Sequence, residues 1–245
     1  AKWPDYFEDS NGAVINIGPG SPTGISFGHH SNFPAPYQDK LFICDWTFGS
    51  IYLIDMEEDG SSYVGTKTEF LNGQPLNISA MRFGPDGHMY FLVGGRNTDS
   101  RLYRIRYVGP PQKGAGKRLV ANQDLRDLRH SLEVFHGNPH AGNTAITRAW
   151  PHLSHPDRNI RYAARLAIEN QPVSLWQERV LREEDQRALI HASIALCRHG
   201  DPSLSHRILK KLNQIPFDSL AAEDQLALLR AYSLCFIRLG QPAAE

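Results

Sequence analysis

The sequence predicts a multi-domain chain, β then α, in which a partial β-propeller of about two blades precedes a HEAT-like α-solenoid. Three observations lead to this fold class. Short apolar runs separated by Gly, Pro, Asn and Asp fill residues 13–107, a pattern typical of strands joined by tight turns. From about residue 122 the apolar residues recur at every third or fourth position, which is the period of helices. Between the two patterns, residues 109–117 hold three Gly and two Pro, as expected of a linker.

The predicted domain boundaries follow these changes of pattern. We expect the C-terminal blades of a β-propeller over residues 1–109, a linker over 110–121, and HEAT-like helical repeats over 122–245. A chain of 245 residues is long enough for two modest domains, each with its own core.

Eight strands are expected in the β half. The candidate strands are residues 13–17, 24–27, 41–45, 50–56, 62–70, 78–83, 89–93 and 102–107. The second to fifth would form one four-stranded blade, and the last three would be the inner strands of the next. Because a propeller usually closes with about 4 to 8 blades, either the other blades precede Ala1 in a longer parent chain or these strands pack in a different way.

The helical half is predicted from repeated apolar faces. One face of the clearest helix carries Ile160, Ala163, Ala164, Ala167 and Ile168, and its other face carries Arg158, Arg161, Arg165 and Glu169. Similar faces recur around Leu189 and Leu228. Asp157 stands where a helix-starting acid would cap free amides, and Arg161 is expected to reach an acid on a neighbouring repeat.

Composition limits the classes of partner. The 26 basic residues balance the 26 acidic ones, so no strong field gathers nucleic acid or anionic lipid. No apolar run approaches the ~18 residues of a membrane span. The three cysteines lie inside apolar runs and are expected to be buried free thiols.

Several motifs together resemble a known family. In the β half the motifs are Gly18-Pro19-Gly20-Ser21-Pro22-Thr23-Gly24, Leu41-Phe42-Ile43-Cys44-Asp45-Trp46, Gly84-Pro85-Asp86-Gly87, and Gly94-Gly95-Arg96 leading to Leu102-Tyr103-Arg104-Ile105. In the helical half they are Trp150-Pro151-His152-Leu153, His155-Pro156-Asp157 and Trp176-Gln177-Glu178-Arg179. The β half resembles the closing blades of glucose/sorbosone dehydrogenase-like propellers. The whole chain is similar to the haem-binding, membrane-bound dehydrogenase family of planctomycete-type bacteria.

The resemblance implies a role as well as a fold. Members of this family are exported, so it implies a periplasmic or extracytoplasmic location. It also implies a PQQ-like quinone in the propeller and a c-type haem, with a Cys-x-x-Cys-His motif, outside this section. The haem domain of the parent chain would then be a partner, and this section alone would have no turnover.

The loops expected at the mouth of the propeller supply the candidate ligand-binding residues. Arg96, Asn97 and Asp99 would face the mouth, with Trp46 and Asn77 as neighbours. A guanidinium fork suits a carboxylated quinone or a sugar acid. The alternative is that Arg96 and Asp99 pair with each other at a loop tip.

Two further motifs favour structural explanations. His29 and His30 are adjacent, which would leave one imidazole buried and one wet, and no third metal ligand stands at a recognisable spacing. The run from Asp55 to Gly60 imitates the opening of a calcium loop, but its twelfth position is Thr66. A hairpin turn through Asp59 and Gly60 is therefore expected, and no metal site is predicted.

Three functions remain open at this point. The first is the propeller-to-solenoid section of an exported, haem-linked sugar or alcohol dehydrogenase, a quinone-dependent oxidoreductase. The second is a non-enzymatic scaffold that binds protein or glycan through broad surfaces. The third is a lactonase-like propeller with a metal on its axis, which would need inward carboxylates from several blades.

Overall fold

The computed structural model of this chain describes residue 4, residues 6–110 and residues 121–240. These residues form two compact units. We call residues 13–110 with residue 121 the sheet unit. The helical unit contains residues 122–240 together with the described residues up to Gly12, which the sequence analysis grouped with the strands. Most of the predicted linker, residues 111–120, lies outside the described residues.

The sheet unit contains seven antiparallel strands and one short helix. The strands are β1 (Pro22–Phe27), β2 (Leu41–Asp45), β3 (Ser50–Asp59), β4 (Ser62–Asn72), β5 (Ile78–Phe83), β6 (Met89–Gly95) and β7 (Thr98–Ile105), and helix α1 is Ala35–Gln38. They form one sheet in the order β1-β2-β3-β4 and a second in the order β5-β6-β7. The grouping of these seven strands into four and three agrees with the sequence analysis.

The prediction of a β-propeller is wrong. In the described residues, strands pair only with their neighbours in sequence, and the two sheets of four and three strands stay open. Two sheets cannot surround an axis, which takes about four or more blades. The predicted strand over residues 13–17 is also absent, since this segment has only isolated backbone bonds such as Gly65 N to Val14 O (2.9 Å). The order of strands first and helices after is confirmed.

Alternating side chains from both sheets build the core of the sheet unit. Phe42 and Cys44 on β2 are completely buried, and Met89, Phe91 and Val93 occupy every second position of β6. This period of two places one face of each strand against the core. Burial raises the pKa of the Cys44 thiol to about 12, so this cysteine packs as a small apolar side chain.

A turn glycine fixes the link between β2 and β3. Gly49 has φ +64°, and a Cβ at this position would lie 2.3 Å from the carbonyl oxygen of Gly73. Both the backbone conformation and the close approach therefore require glycine.

We expect Gly49→Ala to destabilise the sheet unit by about 2 kcal/mol, as measured by urea denaturation of the full chain. Gly18→Ala is the matched control, because Gly18 also has positive φ (+91°) but no atom lies within 4 Å of its Cβ position. The control should lose about 1 kcal/mol. Equal losses in the two variants would contradict the steric argument.

The helical unit contains seven helices with short 3₁₀ turns between several of them. The helices are α2 (Gln123–Glu133), α3 (Asn143–Ala149), α4 (Arg158–Glu169), α5 (Gln177–Val180), α6 (Gln186–His199), α7 (Ser205–Leu212) and α8 (Ala222–Leu234). A π-helical turn (Cys235–Leu239) continues α8. Among these, α2, α4, α6 and α8 contact one another in that order, which makes a row of helices.

Caps and apolar faces explain where the helices lie. Asp157 caps α4 as predicted, because its Oδ1 accepts bonds from the amides of Asn159 (2.8 Å) and Ile160 (3.0 Å). Asp185 caps α6 in the same way. The predicted apolar face of α4 is buried in one continuous core with the faces of α6 and α8. All three cysteines are buried and free, as predicted. None of the described helices has the length and hydropathy to cross a bilayer.

Candidate functional site

The structure brings three of the five predicted ligand-binding residues together. Trp46 lies in the turn after β2, Asn77 lies just before β5, and Arg96 lies in the turn between β6 and β7. The indole Nε1 of Trp46 donates to the carbonyl oxygen of Gly94 (2.8 Å), and Asn77 Nδ2 donates to the carbonyl oxygen of Trp46 (2.9 Å). The Arg96 guanidinium carbon is 5.9 Å from the Trp46 ring centroid. These donors of Trp46 and Asn77 are used within the protein, so they hold the turns together.

The other two predicted residues, Asn97 and Asp99, do not join this cluster. Arg96 and Asn97 both have positive φ (45° and 67°) and form the exposed two-residue turn between β6 and β7. Asp99 pairs with Arg101 at 3.5 Å, and its side chain is 88% exposed. The alternative pairing of Arg96 with Asp99 is therefore not the one formed. A ligand-binding role for these five residues stays a prediction.

The remaining motifs are structural in this fold. His29 and His30 are both exposed, so the expected burial of one imidazole is wrong, and His29 stacks on Phe27 with 5.0 Å between ring centroids. Asp59 and Ser62 face each other across the hairpin turn at Gly60 (φ +54°), which confirms the turn expected there. Within the residues that the structure describes, no three His, Cys, Asp or Glu side chains are placed to hold a metal ion.

A more extensive polar site lies in the helical unit and was not predicted from the sequence. An N-terminal segment, residues 6–12, lies against helices α4, α6 and α8. Its two acids meet a group of arginines that we call the arginine cluster. The arginine cluster consists of Arg158, Arg161 and Arg165 on α4, Arg198 on α6, and Arg230 on α8.

Glu8 is the buried centre of the contact. Its side chain is 4% exposed, and its Oε1 lies 3.5 Å both from Nε of Arg158 and from a guanidinium nitrogen of Arg161. Its Oε2 lies 3.9 Å from Nδ1 of His191 on α6. Arg161 also pairs with Glu223 of α8, so it reaches an acid on another helix, although α8 is not next to α4 in the row of helices.

Asp9 makes the closest ion pairs of the segment. Arg230 donates to both oxygens of Asp9 through Nε (2.7 Å) and a terminal nitrogen (2.9 Å), and Arg198 donates a third bond (3.3 Å). This two-pronged arrangement is the geometry in which a guanidinium binds a carboxylate best. The guanidinium carbon of Arg230 also lies 3.9 Å from the centroid of the Phe7 ring, so one arginine contacts an aromatic side chain and an acid.

The arginine cluster also binds the backbone of the segment. Arg158 donates to the carbonyl oxygens of Phe7 (2.8 Å) and Ser10 (3.1 Å), and Arg165 donates to that of Glu8 (2.8 Å). These bonds depend on the spacing of carbonyl groups along a peptide. The site therefore recognises a polypeptide backbone as well as two carboxylates.

The environment shifts the pKa values of Glu8 and Asp9 in opposite directions. Burial raises the pKa of Glu8 above its ordinary value, although the charges of Arg161 and Arg158 oppose the shift. Burial alone would also raise the pKa of Asp9, but the hydrogen bonds and charge of Arg230, with the charges of Arg165 and Arg198, outweigh it and lower the pKa. Asp9 is thus held firmly as an anion, whereas Glu8 is the more costly charge to bury.

The feature of the sequence that could have indicated this site is the polar face of α4. Arg161 and Arg165 are completely buried, although an amphipathic pattern places charged residues in solvent. Arg165 pairs with Glu169 one turn later (3.0 Å), and Glu169 also pairs with Arg198 (3.1 Å). Three arginines on one helix face exceed what Glu169 alone neutralises, and this excess indicates further acids, which Glu8 and Asp9 supply.

Comparison with known proteins adds no family to this description. No protein-family model, no curated protein and no solved structure matches the chain. The candidate site therefore rests on its own geometry.

Proposed function

We propose that this chain is a protein-binding module, and that its helical unit recognises a short acidic segment of polypeptide, folded into a turn, through the arginine cluster. The observation that carries the proposal is the seating of Glu8 and Asp9 among five arginines from three helices. The N-terminal segment is then an intramolecular occupant of a surface that binds similar segments of a partner. This is the scaffold function among the three that the sequence left open.

The type of contact favours a peptide over a glycan. A carboxylated glycan could satisfy Arg230, but the bonds from Arg158 and Arg165 go to the backbone carbonyl groups of Phe7, Glu8 and Ser10. Arginine suits such a site because its planar fork binds carboxylates in two places and stacks on aromatic rings. The dehydrogenase role stays a prediction that rests on the family resemblance alone.

The test uses the full chain with a weakened occupant. In the variant Glu8→Gln/Asp9→Asn the segment keeps its size but loses both charges. A labelled peptide of residues 1–12 should bind this variant with a Kd of about 10–100 µM, since new ion pairs must offset the ordering of a flexible peptide. Fluorescence anisotropy measures the affinity, and circular dichroism checks that the variant is folded.

A matched peptide decides whether charge carries the binding. The same peptide with Glu8→Gln and Asp9→Asn should bind at least tenfold more weakly, and binding of the acidic peptide should weaken as salt is added. Equal affinity of the two peptides would overturn the proposal. If the double variant does not fold, Asp9→Asn alone serves, because it weakens the occupant at Arg230 and Arg198 and leaves Glu8 in place.

A further inference from the structure

A cavity opens beside Asp9 and is only partly used by the N-terminal segment. It has a volume of about 470 Å³. Its polar lining comes from both the segment and the helices and consists of Asp9, Ser10, Asn11, Tyr162, Arg198, Arg230 and Arg238. Of the three segment residues that face this cavity, Asp9 is charged and binds Arg230 and Arg198, whereas Ser10 and Asn11 are uncharged.

The cations around this cavity are unequally neutralised. Arg230 and Arg198 bind Asp9, and Arg198 also donates to Glu169 (3.1 Å). Arg238, on the π-helical turn after α8, is exposed, and no carboxylate among residues 4, 6–110 and 121–240 forms an ion pair with it. The cavity therefore has one positive charge more than the segment matches.

We infer, on the basis of the proposed function, that this cavity is a subsite for a third acidic side chain of the bound partner segment, held by Arg238. The preferred partner is then a protein segment in which an aromatic residue, Glu and Asp are followed within two positions by another acid. Phe7, Glu8 and Asp9 display the first three features. Ser10 and Asn11 stand where the fourth would be.

This arrangement makes the chain's own segment an incomplete ligand. A covalently attached occupant has a high effective concentration, so an outside partner must bind better to displace it. The unused charge of Arg238 supplies such an advantage to a partner with a third acid. A guanidinium gains most from a carboxylate when both sit in a partly enclosed site, and the cavity walls of Tyr162 and Leu234 provide that enclosure.

The experiment compares two peptides on two proteins. The peptides span residues 1–12, one with the native sequence and one with Ser10→Asp and Asn11→Asp. The proteins are the full chain with Glu8→Gln/Asp9→Asn and the same chain with Arg238→Gln added. On the first protein the acidic peptide should bind about three- to tenfold more tightly than the native peptide, and on the second protein this gain should disappear.

Lys210→Gln is the matched control. Lys210 is an exposed cation on α7 that borders a separate cavity, so its loss lowers the net charge equally and should leave the gain intact. A gain that survives Arg238→Gln, or that Lys210→Gln also removes, would overturn the subsite. Equal binding of the native and acidic peptides would overturn the subsite too, although the proposed function then still stands. If neither peptide binds, the proposed function fails as well.

The stability of a single variant chain tests the subsite without any added peptide. It serves where the double variant does not fold or does not bind peptide. Ser10→Asp in the otherwise native chain should raise the urea midpoint of the helical unit, and adding Arg238→Gln should remove the rise. A fall in the midpoint with Ser10→Asp would contradict the subsite.

Discussion

Replacing Arg161 with alanine should lower the free energy of unfolding of the helical unit by about 3–5 kcal/mol. The Arg161 side chain is completely buried, and it donates to the carbonyl oxygens of His155 (2.9 Å) and Pro156 (2.8 Å). It also pairs with Glu8 and Glu223. Alanine would leave two carbonyl groups without these donors and would leave the buried carboxylate of Glu8 with less compensation.

The measurement is urea denaturation of the full chain, followed by far-ultraviolet circular dichroism, to which the helices contribute most. Arg207→Ala is the matched control. Arg207 also binds a carboxylate in two places, since its terminal nitrogens lie 2.9 and 2.8 Å from the oxygens of Glu178, but both side chains are about half exposed. Its loss should therefore cost at most about 1 kcal/mol. A loss for Arg161→Ala no larger than for Arg207→Ala would show that burial does not set the strength of the arginine cluster.

Arg161→Lys distinguishes charge from geometry. Lysine keeps the positive charge but replaces the planar fork with a single ammonium group, which cannot reach two carbonyl groups and two carboxylates from one position. We expect Arg161→Lys to lower the free energy of unfolding, but by less than Arg161→Ala does. A lysine variant as stable as the native chain would mean that the charge alone is sufficient.

The elements that the sequence predicts well are those determined by local patterns. The apolar period of α4 and its cap at Asp157 lie within about a dozen neighbouring residues, and both are present in the structure. The β3–β4 hairpin at Gly60 is equally local. The propeller failed for the opposite reason. Closure of a ring depends on how many sheets meet, and the repeated strands and turns of a chain are compatible with open sheets as well as closed ones.

The site depends on contacts between distant parts of the chain. Arg165 lies on the polar face of α4, where periodicity predicts exposure, but it is buried by a segment more than 150 positions earlier in the sequence. Nothing in the neighbourhood of Glu8 or Asp9 indicates that these acids belong with the helices. In contrast, Trp46, Asn77 and Arg96 come together as their predicted turns implied, because each follows or precedes a correctly predicted strand.

Acidification should weaken the helical unit through His191. This histidine is 1% exposed on α6. Burial lowers its pKa well below 6.5, and the positive charges of Arg161, Arg165, Arg187 and Arg158 lower it further. The folded chain therefore keeps His191 neutral while the unfolded chain protonates it below about pH 6.5. The contribution of neutral His191 to the stability of the folded chain is complete above about pH 6.5. It is lost as the pH falls toward the lowered pKa of His191 in the folded state.

Glu8, which faces His191, acts with the opposite sign. Because the pKa of Glu8 is raised in the folded state, protonation of Glu8 favours the folded chain as the pH falls. Asp9 and Glu169 have lowered pKa values, so their contribution is lost only below the ordinary range of carboxyl groups, near pH 4. The window from pH 7 to pH 5, in a Glu8→Gln background, therefore reports mainly on His191, with a smaller contribution of the same sign from His152, whose pKa is lowered by partial burial and by His155 and Arg148.

In that background we expect the free energy of unfolding to fall by about 1.4 kcal/mol for each pH unit below roughly pH 6, as one additional proton binds the unfolded chain. Adding His191→Gln should remove most of this slope, and adding His140→Gln should leave it, because His140 is exposed in the loop before α3. Urea midpoints measured at four or five pH values suffice. A slope that persists without His191 would mean that the proton is taken up elsewhere. A slope that falls only with His191→Gln would identify this buried imidazole, kept neutral first by burial and then by the surrounding arginines, as the main cause of acid sensitivity in the helical unit.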